Sequence, residues 1–294
     1  MEPSNLALFW SAVLAGSILI YVILDGFDLG VGVLFGTTRD EAHRVRMMDT
    51  IAPFWDGNET WLVVIGAGLF AAFPDVYAIF LGAFYLPVLL LLFGLIFRGI
   101  AFEFRYRSER MRRVWDGGFF LGSTVVAFVQ GAAVGAMMRG IPVTDGQYAG
   151  GAFGWLHPFA ILTGIGLVLG YALLGAGWLV LKSEGELRDW AYRRIPWLAG
   201  GVLALIGIVV GARRRHDGVP FALTVLFFVS AFLSLGAMFW PYMIPYSVTV
   251  ANAAAPEASL SFLFYGGVVV LPVIAAYTIG VYWVFRGKVR KGYG

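Results

Sequence analysis

The sequence predicts an all-α fold, a polytopic integral membrane helical bundle. Of its 294 residues, 60% are hydrophobic and 13% charged. Mean hydropathy is +0.80, and apolar runs of membrane length recur along the chain. A soluble domain carries about 25% charged residues, whereas a helix needs about 20 mostly apolar residues to cross the hydrocarbon core. There are no cysteines, which excludes disulfides, thiolate metal sites and thiol catalysis.

The hydrophobic segments fall at roughly 8–35, 52–73, 76–97, 115–138, 158–181, 196–211, 220–240 and 262–285, all within a single transmembrane domain, 1–294. Segment 8–35 has no basic region before it and no small-residue cleavage site, so it reads as a first span rather than a signal peptide. Pro74-Asp75 predicts a tight turn between the second and third spans. Segment 196–211 is short for a crossing and doubtful.

Lys and Arg in short loops mark the cytoplasmic side. They collect in 36–49, 98–113, 182–194 and the C-terminal tail, while the intervening loops hold Arg139 alone. This places the N-terminus outside and the C-terminus in the cytoplasm. Eight strict crossings would leave Arg213, Arg214, Arg215 and the tail outside, dividing the 21 basic residues far less cleanly than an odd number. The charge pattern therefore rejects eight-span alternation: either 196–211 does not cross, or a span is missing near it.

Against this apolar background, acidic residues inside spans stand out. Asp25 and Asp28 lie in the cytoplasmic third of the first span, Asp56 and Glu59 near the start of the second, and Arg98 at the end of the third. A charge within a span costs roughly 2.5–3.5 kcal/mol on insertion scales and marks a functional or tightly paired site. Asp25 with Asp28, and Asp56 with Glu59, are three apart and share a helix face. Two readings stand side by side. One is proton entry from the cytoplasm through Asp25, Asp56 and Glu59; the other is an Arg–carboxylate lock, for which Asp28 with Arg98 is suited. Gly26, Gly30, Gly32 and Gly57 predict close helix approach.

Other features point to structure. Gln130, mid-span, is expected to hold helices together, and Trp240–Tyr246 to form an aromatic belt with a turn. Glu103 and Arg105 are expected to pair in solvent. His43, His157 and His216 lie outside the spans, so no axial haem ligand and no metal site is expected in this chain.

The stretches Leu24–Gly32 (LDGFDLGVG), Ile51–Leu62 (IAPFWDGNETWL), Phe97–Arg105 (FRGIAFEFR), Trp115–Gly118, Trp240–Pro245 and Tyr282–Val289 (YWVFRGKV) resemble subunit II of the bacterial cytochrome bd-type ubiquinol or menaquinol oxidases, including the cyanide-insensitive branch. The resemblance covers nearly the whole chain. It implies a non-haem subunit of the bacterial inner membrane that supports a haem-bearing subunit I. That partner would carry haem b and haem d, with quinol as the substrate of the complex. It further implies a proton channel at Asp56, with Asp25, Asp28 and Arg98 nearby; Trp55, Asn58 and Trp61, in the same motif as Asp56, are expected to serve the structural lock or the proton path. No catalytic residue is expected in this chain. A structural quinone or lipid, and a small single-span accessory subunit, stay open. The family pattern has nine spans, so about one is missing around 200–213. The alternative is a stand-alone proton-coupled transporter or channel.

Overall fold

The structure is a computed structural model describing residues 2–107, 109–201 and 217–289. Helix α1 (Asn5–Phe35) starts where the Ser4 hydroxyl accepts from the Ala7 amide. The short α2 (Glu41–Ile51) is capped by the Asp40 carboxylate. There follow α3 (Trp55–Ala72), α4 (Pro74–Phe104), α5 (Arg112–Arg139), α6 (Pro158–Lys182) and α7 (Gly185–Gly201). Beyond residue 216 come α8 (Val219–Phe239), the one-turn α9 (Val250–Ala253) and α10 (Glu257–Val284). Pro74, Pro158 and Pro220 sit in the first turns of their helices, where a missing amide proton costs nothing. Two small antiparallel hairpins, Val143–Thr144 with Gln147–Tyr148 and Tyr242–Ile244 with Val248–Thr249, close one end of the bundle.

Among the described residues, six helices are long and apolar enough to cross a membrane: α1, α4, α5, α6, α8 and α10. Segment 52–73 forms α3 but carries Asp56 and Glu59 in its first two turns. Segment 196–211 begins inside α7; its remainder, with Arg213, Arg214, Arg215 and the expected gap, lies outside the described residues.

Several loop expectations are corrected. Part of 36–49 is helical, as is most of 182–194, because each has an apolar face to bury: Met47, Met48 and Ile51 on α2, and Leu187, Ala191 and Ile195 on α7. Arg98 does not end its helix; α4 runs on to Phe104. Glu103 pairs with the exposed Arg107, while Arg105 is fully buried against Asp116 at 2.6 Å and Glu41 at 2.9 Å. Asp116 also accepts from Arg44 at 2.9 Å, so this cluster ties α2, α4 and α5 together.

Helix α1 is the axis, packed against α3, α5, α6, α8 and α10. The crossing with α6 is closest at Gly30, where an added Cβ would stand 1.8 Å from the Tyr171 carbonyl oxygen. Small residues permit such approach where lipid offers no hydrophobic drive for helix association. The periphery is correspondingly apolar: Phe262 is 83% and Tyr265 74% exposed on α10.

The segment after α10 folds back onto α6 and α7. Lys182 Nζ donates to the Phe285 carbonyl at 2.5 Å and lies over the rings of Phe54 and Trp178. Asp217 accepts from Tyr192 at 2.7 Å and from Lys288, with Arg188 at 3.6 Å. Burial pushes the Asp217 carboxyl up, but hydrogen bonds from Lys288 and Tyr192 and the charges of Lys288 and Arg188 hold it below its ordinary value. A carboxylate depressed in the folded state contributes stability above its unfolded pKa and loses it as pH falls through the folded value. The Asp217 share of the hold on residues 285–289 is therefore complete at neutral pH and lost on acidification below the ordinary Asp range. The Asp217→Asn variant should reproduce the loss at neutral pH, read as faster hydrogen exchange in 285–289; unchanged exchange would show that Lys182 alone secures this segment.

A buried arginine at the junction of α1, α3 and α4

The site is built around Arg98, whose side chain is 0% exposed. Its Nη1 donates to Asp25 Oδ1 at 2.8 Å and to Glu59 Oε1 at 3.3 Å, and Nη2 lies 3.7 Å from Asp28 Oδ2. Asp25 and Asp28, one turn apart on α1, are both fully buried. Glu59 on α3 keeps 24% of its side chain exposed. Of the two aspartates, Asp25 is the direct partner of Arg98; Asp28 is held chiefly by Asn58, whose Nδ2 donates to it at 2.7 Å. Asn58 also donates to the Leu24 carbonyl at 3.2 Å and accepts from the Tyr282 hydroxyl at 3.0 Å, joining α1, α3 and α10.

The two motif tryptophans hold α3 in register. Trp55 stacks on Phe102 of α4 with centroids 5.2 Å apart, and Trp61 Nε1 donates to Thr278 of α10 at 3.3 Å. Asp56 stands outside the cluster. It is exposed, on the face of α3 that it shares with Val63 and Phe70, one turn before Glu59. Five of the predicted residues thus converge: Asp25, Asp28, Asn58, Glu59 and Arg98.

Sequence reasoning missed three tyrosines that extend this polar centre. Tyr282 reaches Asn58, and Tyr21 and Tyr171 bracket Gln130. The available signal was a tyrosine in place of phenylalanine inside a span, with Tyr21 one turn before Asp25. Four buried polar atoms of the cluster have no hydrogen-bond partner among the described residues: Asp25 Oδ2, Asp28 Oδ1, and Arg98 Nε and Nη2.

Of the three histidines, the structure describes two. His157 Nδ1 accepts from the Ala160 amide and caps α6, and His43 lies on α2 beside Trp190. His216 lies outside the described residues. Among the described residues no group of three His, Asp or Glu is placed to hold a metal ion.

A multi-helix membrane protein with a buried arginine–carboxylate centre is the class these features define. Residues 6–211 and 195–285 match the sequence model of the family described as cytochrome bd terminal oxidase subunit II. The chain belongs to that family, a group of multi-pass proteins of the bacterial inner membrane, and is a subunit of an oxidoreductase complex. The cytochrome bd ubiquinol oxidase subunit 2 of Bacillus subtilis (strain 168) is 30% identical over 328 residues, covering 95% of this chain and 96% of the relative. The cytochrome bd-I ubiquinol oxidase subunit 2 of Escherichia coli (strain K12) is 29% identical over 357 residues, covering 95% and 94%. That alignment is longer than the chain, so the relative carries residues that this one lacks. A chain of the bd oxidase of Geobacillus thermodenitrificans shares the fold, with a TM-score of 0.78 and 16% identity over 96% of this chain and 99% of that one.

Proposed function

We propose that this chain is the non-haem subunit II of a bd-type quinol oxidase, which braces a haem-bearing subunit I and feeds it protons from the cytoplasm for reduction of oxygen to water. Haem b, haem d and the quinol site belong, on this reading, to the partner. The arginine-rich end faces the cytoplasm, and the chain forms one transmembrane domain lacking about one family helix near 200–213. The overlap of the two family matches at 195–211 supports that placement.

The observation that carries the proton role is a graded ladder on α3 and α1. Asp56 is exposed, Glu59 one turn on is partly exposed, and Glu59 shares Arg98 with the buried Asp25. One guanidinium facing three carboxylates cannot neutralise them all, and such clusters hold and exchange protons as a unit. Orphaned polar atoms beside Arg98 have free capacity for bridging water. Asp56 shares its open face of α3 with the exposed Val63 and Phe70, and that face is read as lying against subunit I.

The experiment is Asp56→Asn in the complete oxidase. A positioned proton-transfer group contributes roughly 10²–10⁴-fold, so oxygen reduction should slow by about a hundredfold or more while the haem spectrum stays. Full turnover would defeat the proton role. The second reading, a purely structural lock, rests on the 2.8 Å Arg98–Asp25 pair; it requires full activity in both the Asp56→Asn and Asp25→Asn complexes.

A further inference from the structure

Three helices meet in a second buried polar group that neither the proton ladder nor the family motifs use. Tyr171 on α6 donates its hydroxyl proton to Gln130 Oε1 on α5 at 2.8 Å, and Gln130 Nε2 donates to the Tyr21 hydroxyl on α1 at 2.9 Å. Tyr21 is 4% and Tyr171 0% exposed. Room for the Tyr171 ring comes from Gly26, where a Cβ would stand 2.7 Å from it. Both ends of the Gln130 amide are engaged, with its oxygen toward Tyr171 and its nitrogen toward Tyr21.

The consequence falls on Tyr21. Its oxygen accepts from Gln130, which leaves its own proton for one further acceptor. One helical turn on, at i+4 and on the same face, stands Asp25. Its Oδ1 is taken by Arg98, while its Oδ2 is buried without a hydrogen-bond partner among the described residues. We infer that Tyr21, oriented by Gln130 and Tyr171, is a positioning residue that turns its hydroxyl proton toward Asp25 Oδ2 and thereby sets how readily Asp25 exchanges a proton. The inference rests on the proposed proton path through Asp25. The triad orients and does not conduct, because an amide that donates from nitrogen and accepts at oxygen does not hand a proton across. Besides Tyr21, the charged and titratable groups facing Asp25 are Arg98 from α4, Glu59 from α3, Asp28 from its own helix, Tyr171 from α6 and Tyr282 from α10. From α5 comes the uncharged Gln130.

The test uses the complete oxidase with its haem-bearing partner and reads the pH profile of oxygen reduction. A carboxylate that loses a hydrogen-bond donor binds its proton more tightly. Tyr21→Phe should therefore keep the haem spectrum and subunit content but move the profile to higher pH by roughly one unit, the worth of one hydrogen bond to a charged group. Tyr171→Phe, which loosens Gln130 but keeps the Tyr21 hydroxyl, should give a smaller shift in the same direction. In an Asp25→Asn background, Tyr21→Phe should move nothing further. Two results overturn the role of Tyr21 alone: an unshifted Tyr21→Phe profile where Asp25→Asn slows turnover, or a shift that persists without the Asp25 carboxylate. Full turnover in Asp25→Asn overturns the proton path and this inference together. Should Tyr21→Phe fail to assemble, Gln130→Met carries the test: it frees the Tyr21 hydroxyl from its orienting amide, so a smaller shift in the same direction is expected and an unshifted profile counts against it.

Discussion

Replacing Arg98 with glutamine is expected to eliminate the assembled subunit rather than merely slow it. The side chain is fully buried and faces Asp25, Asp28 and Glu59 at 2.8, 3.7 and 3.3 Å. Removing one partner of a buried ion pair costs about 3–5 kcal/mol, because the abandoned charges remain out of water. Here one cation serves three carboxylates on two helices, which places the loss at the upper end of that range. Stabilities of 5–15 kcal/mol are typical, so this is a large fraction of the whole. The measurement is the amount of this subunit that copurifies with the haem-bearing partner, read alongside the haem spectrum. A stable Arg98→Gln complex would mean that the cluster carries its own protons and needs no cation. The Arg98→Gln/Asp25→Asn double variant should recover part of the yield, since it removes a carboxylate together with its counter-charge.

The second large effect is expected from Gly30→Ala. A Cβ there would lie 1.8 Å from the Tyr171 carbonyl oxygen, 2.6 Å from its carbon and 2.9 Å from the Gly175 nitrogen. All three are backbone atoms, so no side chain can rotate aside and α1 must separate from α6. Overpacking costs roughly 1–3 kcal/mol where side chains yield, and a backbone clash at a helix crossing falls at or above the top of that range. The displacement would also reach Asp28, two residues away, and through it Asn58 and Tyr282. Gly66→Ala is the control: nothing among the described residues lies within 4 Å of its added Cβ, and alanine favours the helix by about 1 kcal/mol over glycine. Thermal unfolding of the two complexes should therefore differ by several degrees, with Gly30→Ala lower and Gly66→Ala unchanged or higher. Equal melting would place flexibility at the α1–α6 crossing.

Much of the site was legible because membrane insertion makes some residues conspicuous. Asp25, Asp28, Glu59 and Arg98 stood out as charges in apolar runs, and all four meet in one cluster. Asn58 was expected in the lock or the path through its motif, and the structure makes it the hub that joins three helices. Which aspartate Arg98 grips was not legible: Asp28 suited the lock on spacing, yet Asp25 takes the 2.8 Å contact. Spacing along α1 places both carboxylates on one face but not the azimuth of that face relative to α4. Tyr21 and Tyr171 were overlooked, and Tyr282 counted only as the start of a motif, because a tyrosine in a span passes for an aromatic packing residue until its hydroxyl meets a partner.

Hydropathy and charge patterning by themselves determined the all-α membrane class, the helix-dense arrangement and the segments that bear the polar groups. They do so because burying a backbone in hydrocarbon leaves only the helix to a chain with this pattern, and because charges in spans are too costly to be scattered. The tertiary structure alone decided that Arg105 is buried while Arg107 is exposed, and that 185–195 is helical. It also decided that Asp56 stands apart on an open face while Glu59, three residues on, reaches the buried arginine. These outcomes depend on the rotation of each helix about its own axis. That rotation is set by contacts between residues far apart in the chain, such as Gly30 against Tyr171, which no local pattern encodes.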